Sequence, residues 1–185
     1  MMWAIILLIV LIIVIILLVF WGIYNRIIRT ENQIDNAWAQ IDVQMKRRAD
    51  LIPNLMETVK GYMTHERGTM ESVTNARGAI MSAKTPQESN DANNMLTGAL
   101  KTLFAVAESY PDLKANQNFL QLQDELTHTE DKIAYSRQHY NDSVLSYNNT
   151  IETFPGNFFA HRMGRKAREM LQIPEASKEV PKVSF

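Results

Sequence analysis

The sequence predicts an all-α protein: a transmembrane helix followed by an elongated, antiparallel up-and-down bundle of three to four helices, the first kinked near Pro53. Three observations predict it. Met1 through Asn25 carry no charged side chain, and about 20 apolar residues as helix suffice to cross a bilayer core. From Ile27 to Ile80 apolar residues recur in steps of three, four and seven, the period of a helix with one buried stripe. Glycine and proline number only 7 and 6, while Leu, Ile, Met, Ala, Gln and Asn are abundant, a composition that favours helix.

The bulk properties exclude several classes. At 185 residues the chain suffices for one domain. A formal charge of −1 gives no overall field to recruit nucleic acid. With no cysteine there is neither a disulfide framework nor a thiolate metal site.

The apolar segment reads as a membrane anchor over residues 1–25. Trp3 at one end and Trp21 with Tyr24 at the other suit the aromatic belts of the two interfaces. A cleaved signal peptide would show a basic start, a shorter apolar run and a small-residue cleavage site, none of which is present. Arg26 and Arg29 follow the span at once, and Lys46, Arg47 and Arg48 lie farther on. The positive-inside rule therefore expects the N-terminus outside and the following domain in the cytoplasm.

Beyond the span, the stripe runs through Ile34, Trp38, Ile41, Met45, Ala49, Ile52, Met56, Val59, Met63, Met70, Val73 and Ile80. It crosses RRADLIPNL without losing phase. Proline lacks its own N–H and presses on the carbonyl four residues back, here that of Ala49. Asp50 could cap a restarted helix with Pro53 in its first turn. A kinked, nearly continuous rod, bent at Ala49–Pro53 and ending near Lys84, satisfies both signals. Thr85-Pro-Gln-Glu88 then reads as a capping box with proline at the first helical position, opening a helix to about Glu108. Ser109–Asn116 is a turn with a proline stop. A long helix from about Ala115 to Thr153 carries the stripe Phe119, Leu122, Leu126, Ile133, Tyr140, Val144, Tyr147 and Ile151, and Phe154-Pro155-Gly156 ends it. A short amphipathic helix follows over Asn157–Leu171. The expected organisation is thus an anchor over 1–25, a bundle over 26–174 and a flexible tail over 175–185.

No catalytic constellation emerges. Glu125-Leu-Thr-His128 has the E-x-x-H spacing of ferritin-like di-metal sites, but these need a second such motif, and His65, His139 and His161 have no Glu three residues before them. His65 and His128 read as helix surface. Asp50, Arg48, Asn54 and Glu57 read as a structural polar cluster around the proline. Asn141, Asn148 and Asn149 either satisfy buried groups or face water. No cofactor and no metal are expected.

The segment NFFAHRMGRKAREML admits two readings. As a helix it places Phe159, Ala160, Met163, Ala167, Met170 and Leu171 on one side and His161, Arg162, Arg165, Lys166, Arg168 and Glu169 on the other. Such a helix packs its apolar face on the bundle, or it lies in a membrane interface with Phe159, Arg162, Met163, Arg165, Lys166 and Arg168 as its contacts.

RRADLIPNLMETVKGYMTHE (Arg47–Glu66), AESYPDLKANQNFLQLQDEL (Ala107–Leu126), YNDSVLSYNNTIETFPGN (Tyr140–Asn157) and the ending PKVSF resemble the LemA family. The resemblance covers nearly the whole chain and departs from the family pattern at Asn157–Leu171, where members more often carry a Gly-Phe-rich segment. It implies a single-pass bacterial membrane protein with a helical bundle and no catalytic residues to carry over. A magnetosome-membrane protein resembles the family too, and points by analogy to membrane organisation. The expected role is a self-associating scaffold in the bacterial inner membrane, with the lipid bilayer and further copies as partners. The alternative is an adaptor or spacer for another membrane protein, such as a protease or signalling protein. A hydrolase or metal enzyme ranks last.

Overall fold

The computed structural model describes residues 2–172; the tail expected over 175–185 lies outside them. The described residues form an all-α fold without strands: α1 (Met2–Lys60), α2 (Arg67–Ser82), α3 (Pro86–Ala107), α4 (Pro111–Lys114), α5 (Gln117–Glu152) and α6 (Gly156–Arg162).

The 59 residues of α1 form one helix through Pro53, so the restart at Asp50 does not occur. Asp50 lies in the helix interior and is exposed. The unbroken path has a specific support. Pro53 cannot donate to the Ala49 carbonyl, and Ala49 is fully buried, so that acceptor would be stranded without water. Arg77 of α2 supplies the missing donor, its Nε lying 2.9 Å from the Ala49 oxygen.

The rod expected to reach Lys84 ends instead at Lys60. The amides of Tyr62 and Met63 both turn back onto the Val59 carbonyl at 2.9 Å, and the chain re-enters helix only at Arg67. The turn buries Met63 completely, and the stripe resumes at Val73, Ala76 and Ile80. Burying Met63 keeps the apolar spacing alive across a segment that is not helical. That is why periodicity alone concealed the break.

The α3 capping box forms as expected: Thr85 Oγ1 accepts from the Glu88 amide at 3.2 Å, and Glu88 Oε2 accepts from the amides of Thr85 at 3.3 Å and Lys84 at 2.8 Å. Helix α2 packs along α3. The Ser109–Asn116 turn holds the single helical turn of α4. Asn116 then caps α5, its Oδ1 accepting from the amides of Asn118 and Phe119 at 2.9 and 3.1 Å.

The chain resolves into two compact units. The first comprises Met1–Ala37 and His139–Met170, and its core is Ile27, Ile34, Ala37, Val144, Tyr147, Ile151 and Ala160. The second comprises Trp38–Gln138 with Leu171 and Gln172. Ile41, Met45, Leu55, Val59, Met63, Leu96, Leu103, Leu113, Leu126 and Ile133 make its core.

Candidate membrane interface and buried polar cluster

Helix α1 contains a stretch long and apolar enough to cross a membrane, none of it buried within the protein. On an insertion scale where each central Leu, Ile, Val or Phe contributes roughly −0.3 to −0.6 kcal/mol, Ile5–Phe20 favours the bilayer by roughly 5–10 kcal/mol. Trp3, Trp21 and Tyr24 are 79%, 67% and 50% exposed, and Arg26 and Arg29 are exposed as well. At 1.5 Å per residue the two tryptophans stand about 27 Å apart along the helix, close to the ~30 Å of a hydrocarbon core.

The segment Asn157–Leu171 is not one helix. Helix α6 stops at Arg162, and Gly164 sits in the left-handed region at φ 65°. The Arg165 amide reaches back to the Ala160 carbonyl at 2.9 Å and the Gly164 amide to that of His161 at 3.2 Å. This is the Schellman closure, which needs a residue at positive φ and so selects glycine. Gly164 was the available sequence signal for the stop.

The closure redistributes the six residues expected at a membrane surface. Phe159 sets its ring edge-to-face on Phe20 at 4.7 Å and 88°, and Phe158 stacks edge-on to Phe159 at 5.5 Å. Met163 is half-buried. Arg165 Nη1 and Arg168 Nη2 donate to Glu31 Oε1 at 2.8 and 3.4 Å. They serve a buried carboxylate of α1, since Glu31 is only 8% exposed. Asn148 holds the non-helical segment after Gly164 in place, its Oδ1 accepting from the Arg168 amide and its Nδ2 donating to the Arg168 carbonyl, both at 2.9 Å. Arg162 and Lys166 remain exposed. Nearby, burial pushes the Tyr147 phenol above its usual range; Glu31 adds to the rise, while Arg165 and Arg168 oppose it. Glu31 and Phe20, single positions on α1, gave no sequence signal of these roles.

In the second unit a different cluster replaces the one expected around the proline. Asp50, Asn54 and Glu57 are exposed, whereas Arg48 is 3% exposed. Its Nη1 donates to Asn93 Oδ1 and Thr97 Oγ1, both at 2.9 Å, and to Glu130 Oε2. Asn93 Nδ2 also donates to that carboxylate at 3.3 Å. Arg137, 4% exposed, lies in the field of the same Glu130. Burial pulls both guanidiniums below their ordinary pKa, Glu130 opposes this for each, and Arg137 adds to the fall at Arg48. Two buried cations therefore share one carboxylate. The network joins α1, α3 and α5 through Arg48, Asn93 with Thr97, and Glu130, and removing either sign of charge would leave the other uncompensated.

All four histidines are exposed. His128 is exposed, with its Nδ1 3.2 Å from the Asp124 carbonyl oxygen, while Glu125 is half-buried. Among the described residues no three His, Asp or Glu side chains gather as a metal site would require.

These features define a membrane-associated helical-bundle protein. Residues 37–185 match the model of the LemA family, and the chain belongs to that family. It is 32% identical over 149 residues to Protein LemA of Metamycoplasma hominis, covering 78% of this chain and 67% of the relative. It is 24% identical over 175 residues to the magnetosome protein MamQ 2 of Paramagnetospirillum magneticum, covering 80% of this chain and 64% of that relative. Over 172 residues it is 24% identical to the magnetosome protein MamQ of Magnetospirillum gryphiswaldense, covering 79% and 63%. The chain thus spans just under two thirds of the length of the MamQ relatives. None of these names denotes an enzyme.

Proposed function

We propose that this LemA-family protein is a non-catalytic scaffold that self-associates through its helical domain, anchored by α1 in the bacterial inner membrane with that domain in the cytoplasm. The observation that carries the reading is the double use of α1. Its first part exposes apolar side chains over the whole span, and its later part buries a regular stripe as a core helix. Arg48, Asn93, Thr97 and Glu130 in the second unit are hydrogen-bonded to one another across three helices. Two relatives named as magnetosome proteins fit a role in organising membrane. The span has Gly22 near its end and no small-xxx-small pattern, so assembly falls to the helical domain.

A second reading, an adaptor for another membrane protein, draws on a groove in the second unit. Ala39, Gln40, Val43, His128, Lys132 and Tyr135 line it, with Val43 60% and Tyr135 76% exposed. Native mass measurement of the full chain in mild detergent decides between them. Multiples of this chain support the scaffold, one stoichiometric foreign protein supports the adaptor, and a clean monomer at micromolar concentration overturns both.

A further inference from the structure

Phe20 belongs to the bilayer-crossing run of α1, one residue before Trp21, so its ring marks the depth at which the helix leaves the hydrocarbon. Whatever touches Phe20 sits at that depth. Phe159 touches it, edge-to-face at 4.7 Å, and Phe158 extends the row of rings sideways from Phe159 at 5.5 Å. Phe158 is still 56% exposed, and Phe154, at the α5–α6 corner, is 86% exposed. Bare aromatic rings in water next to a membrane exit are unfavourable, whereas the interfacial layer accommodates them.

The cations complete the surface. Arg165 and Arg168 are spent on Glu31, but Arg162 and Lys166 remain exposed. On α1, Arg26 and Arg29 border an open groove with Trp21 and Asn25. Exposed aromatics near the span's exit, with exposed cations in the same unit, match the interfacial layer of an anionic leaflet.

We propose that the α5–α6 corner is a second membrane contact, in which Phe154 and Phe158 enter the interfacial layer while Arg162 and Lys166 meet anionic headgroups. It rests on α1 being the anchor. The occupant is the leaflet through which α1 emerges, continuous with the span itself through the Phe20–Phe159 contact. The contact would tie the far end of α5 to the bilayer and so restrain the first unit at two points.

The chain has no cysteine, so single substitutions give unique label sites in the full-length protein. Nitroxides at Trp21→Cys, Phe154→Cys, Phe158→Cys and Asp142→Cys, in vesicles with and without anionic lipid, are compared for collision with oxygen and with a water-soluble nickel chelate. Asp142, exposed on α5, is the aqueous reference. The proposal expects positions 154 and 158 to show an oxygen-to-nickel ratio several-fold above that of 142 and close to that of 21. The ratio should fall in anionic vesicles when Arg162 and Lys166 become Gln. Positions 154 and 158 as open to nickel as 142, with 21 protected, would overturn the second contact and leave the anchor standing. An aqueous signal at 21 would overturn the anchor and the proposal with it. Identical protection with and without anionic lipid would overturn the part assigned to the cations.

Discussion

Arg77 answers a problem created by a residue far from it in sequence. Pro53 leaves the buried Ala49 carbonyl without its helical donor, and Arg77 Nε fills the vacancy at 2.9 Å. A buried acceptor left unsatisfied costs about 1–3 kcal/mol, so Arg77→Met, which keeps much of the stem, should lower stability by about that much. In a Pro53→Ala background the restored amide serves Ala49, and the same substitution should cost markedly less. A double-mutant cycle by thermal unfolding in detergent checks this; additive losses would show that Arg77 does not act through that carbonyl. The shared carboxylate gives a parallel case. Glu130→Gln should destabilise by about 3 kcal/mol, because two buried guanidiniums lose their counter-charge, and by less once Arg48→Met has removed one of them. Both residues were visible as charges in a helical sequence. Neither their burial nor their partners could be read there, because a charge on a stripe's edge looks the same whether it faces water or a third helix.

At the scale of elements, two glycines govern how α5 gives way to α6 and how α6 ends. A Cβ on Gly156 would stand 1.9 Å from the Thr150 carbonyl oxygen, backbone that cannot move without unwinding the end of α5. Gly164 meets nothing within 4 Å but holds φ at +65°. Gly164→Ala should therefore cost about 1 kcal/mol, the penalty of left-handed backbone. Gly156→Ala should cost more, about 3 kcal/mol, through overpacking against main chain. Thermal unfolding of the two variants checks the order, and a reversal would mean that the corner yields more easily than the Schellman turn. The capping box at Thr85–Glu88 and the stop at Phe154–Gly156 were legible because their chemistry is local. The break after Lys60 was not, since Val59, Met63, Met70 and Val73 keep steps of four, seven and three across it. Gly164 marks a stop inside an amphipathic pattern that continues past it.

For the molecule as a whole, orientation is a separate question from fold. With Arg26 and Arg29 just beyond the span, a protease added to intact spheroplasts should leave the helical domain uncut, and should digest it once the membrane is opened. Digestion before opening would place the domain outside and reverse the positive-inside argument.

The sequence by itself determined the helical class, the span and the identity of most core positions, because apolar periodicity and hydrocarbon length are properties of consecutive residues. It also carried the family, through long collinear motifs. Tertiary structure decided what depends on residues distant in the chain. Arg48 turns inward to Glu130, Arg77 repairs the proline, and Arg165 and Arg168 go to Glu31 rather than to lipid. Phe159 comes to rest on Phe20. Each of these turns on which donor finds which acceptor, or which ring finds which ring, after the helices have packed, and no local pattern encodes that choice.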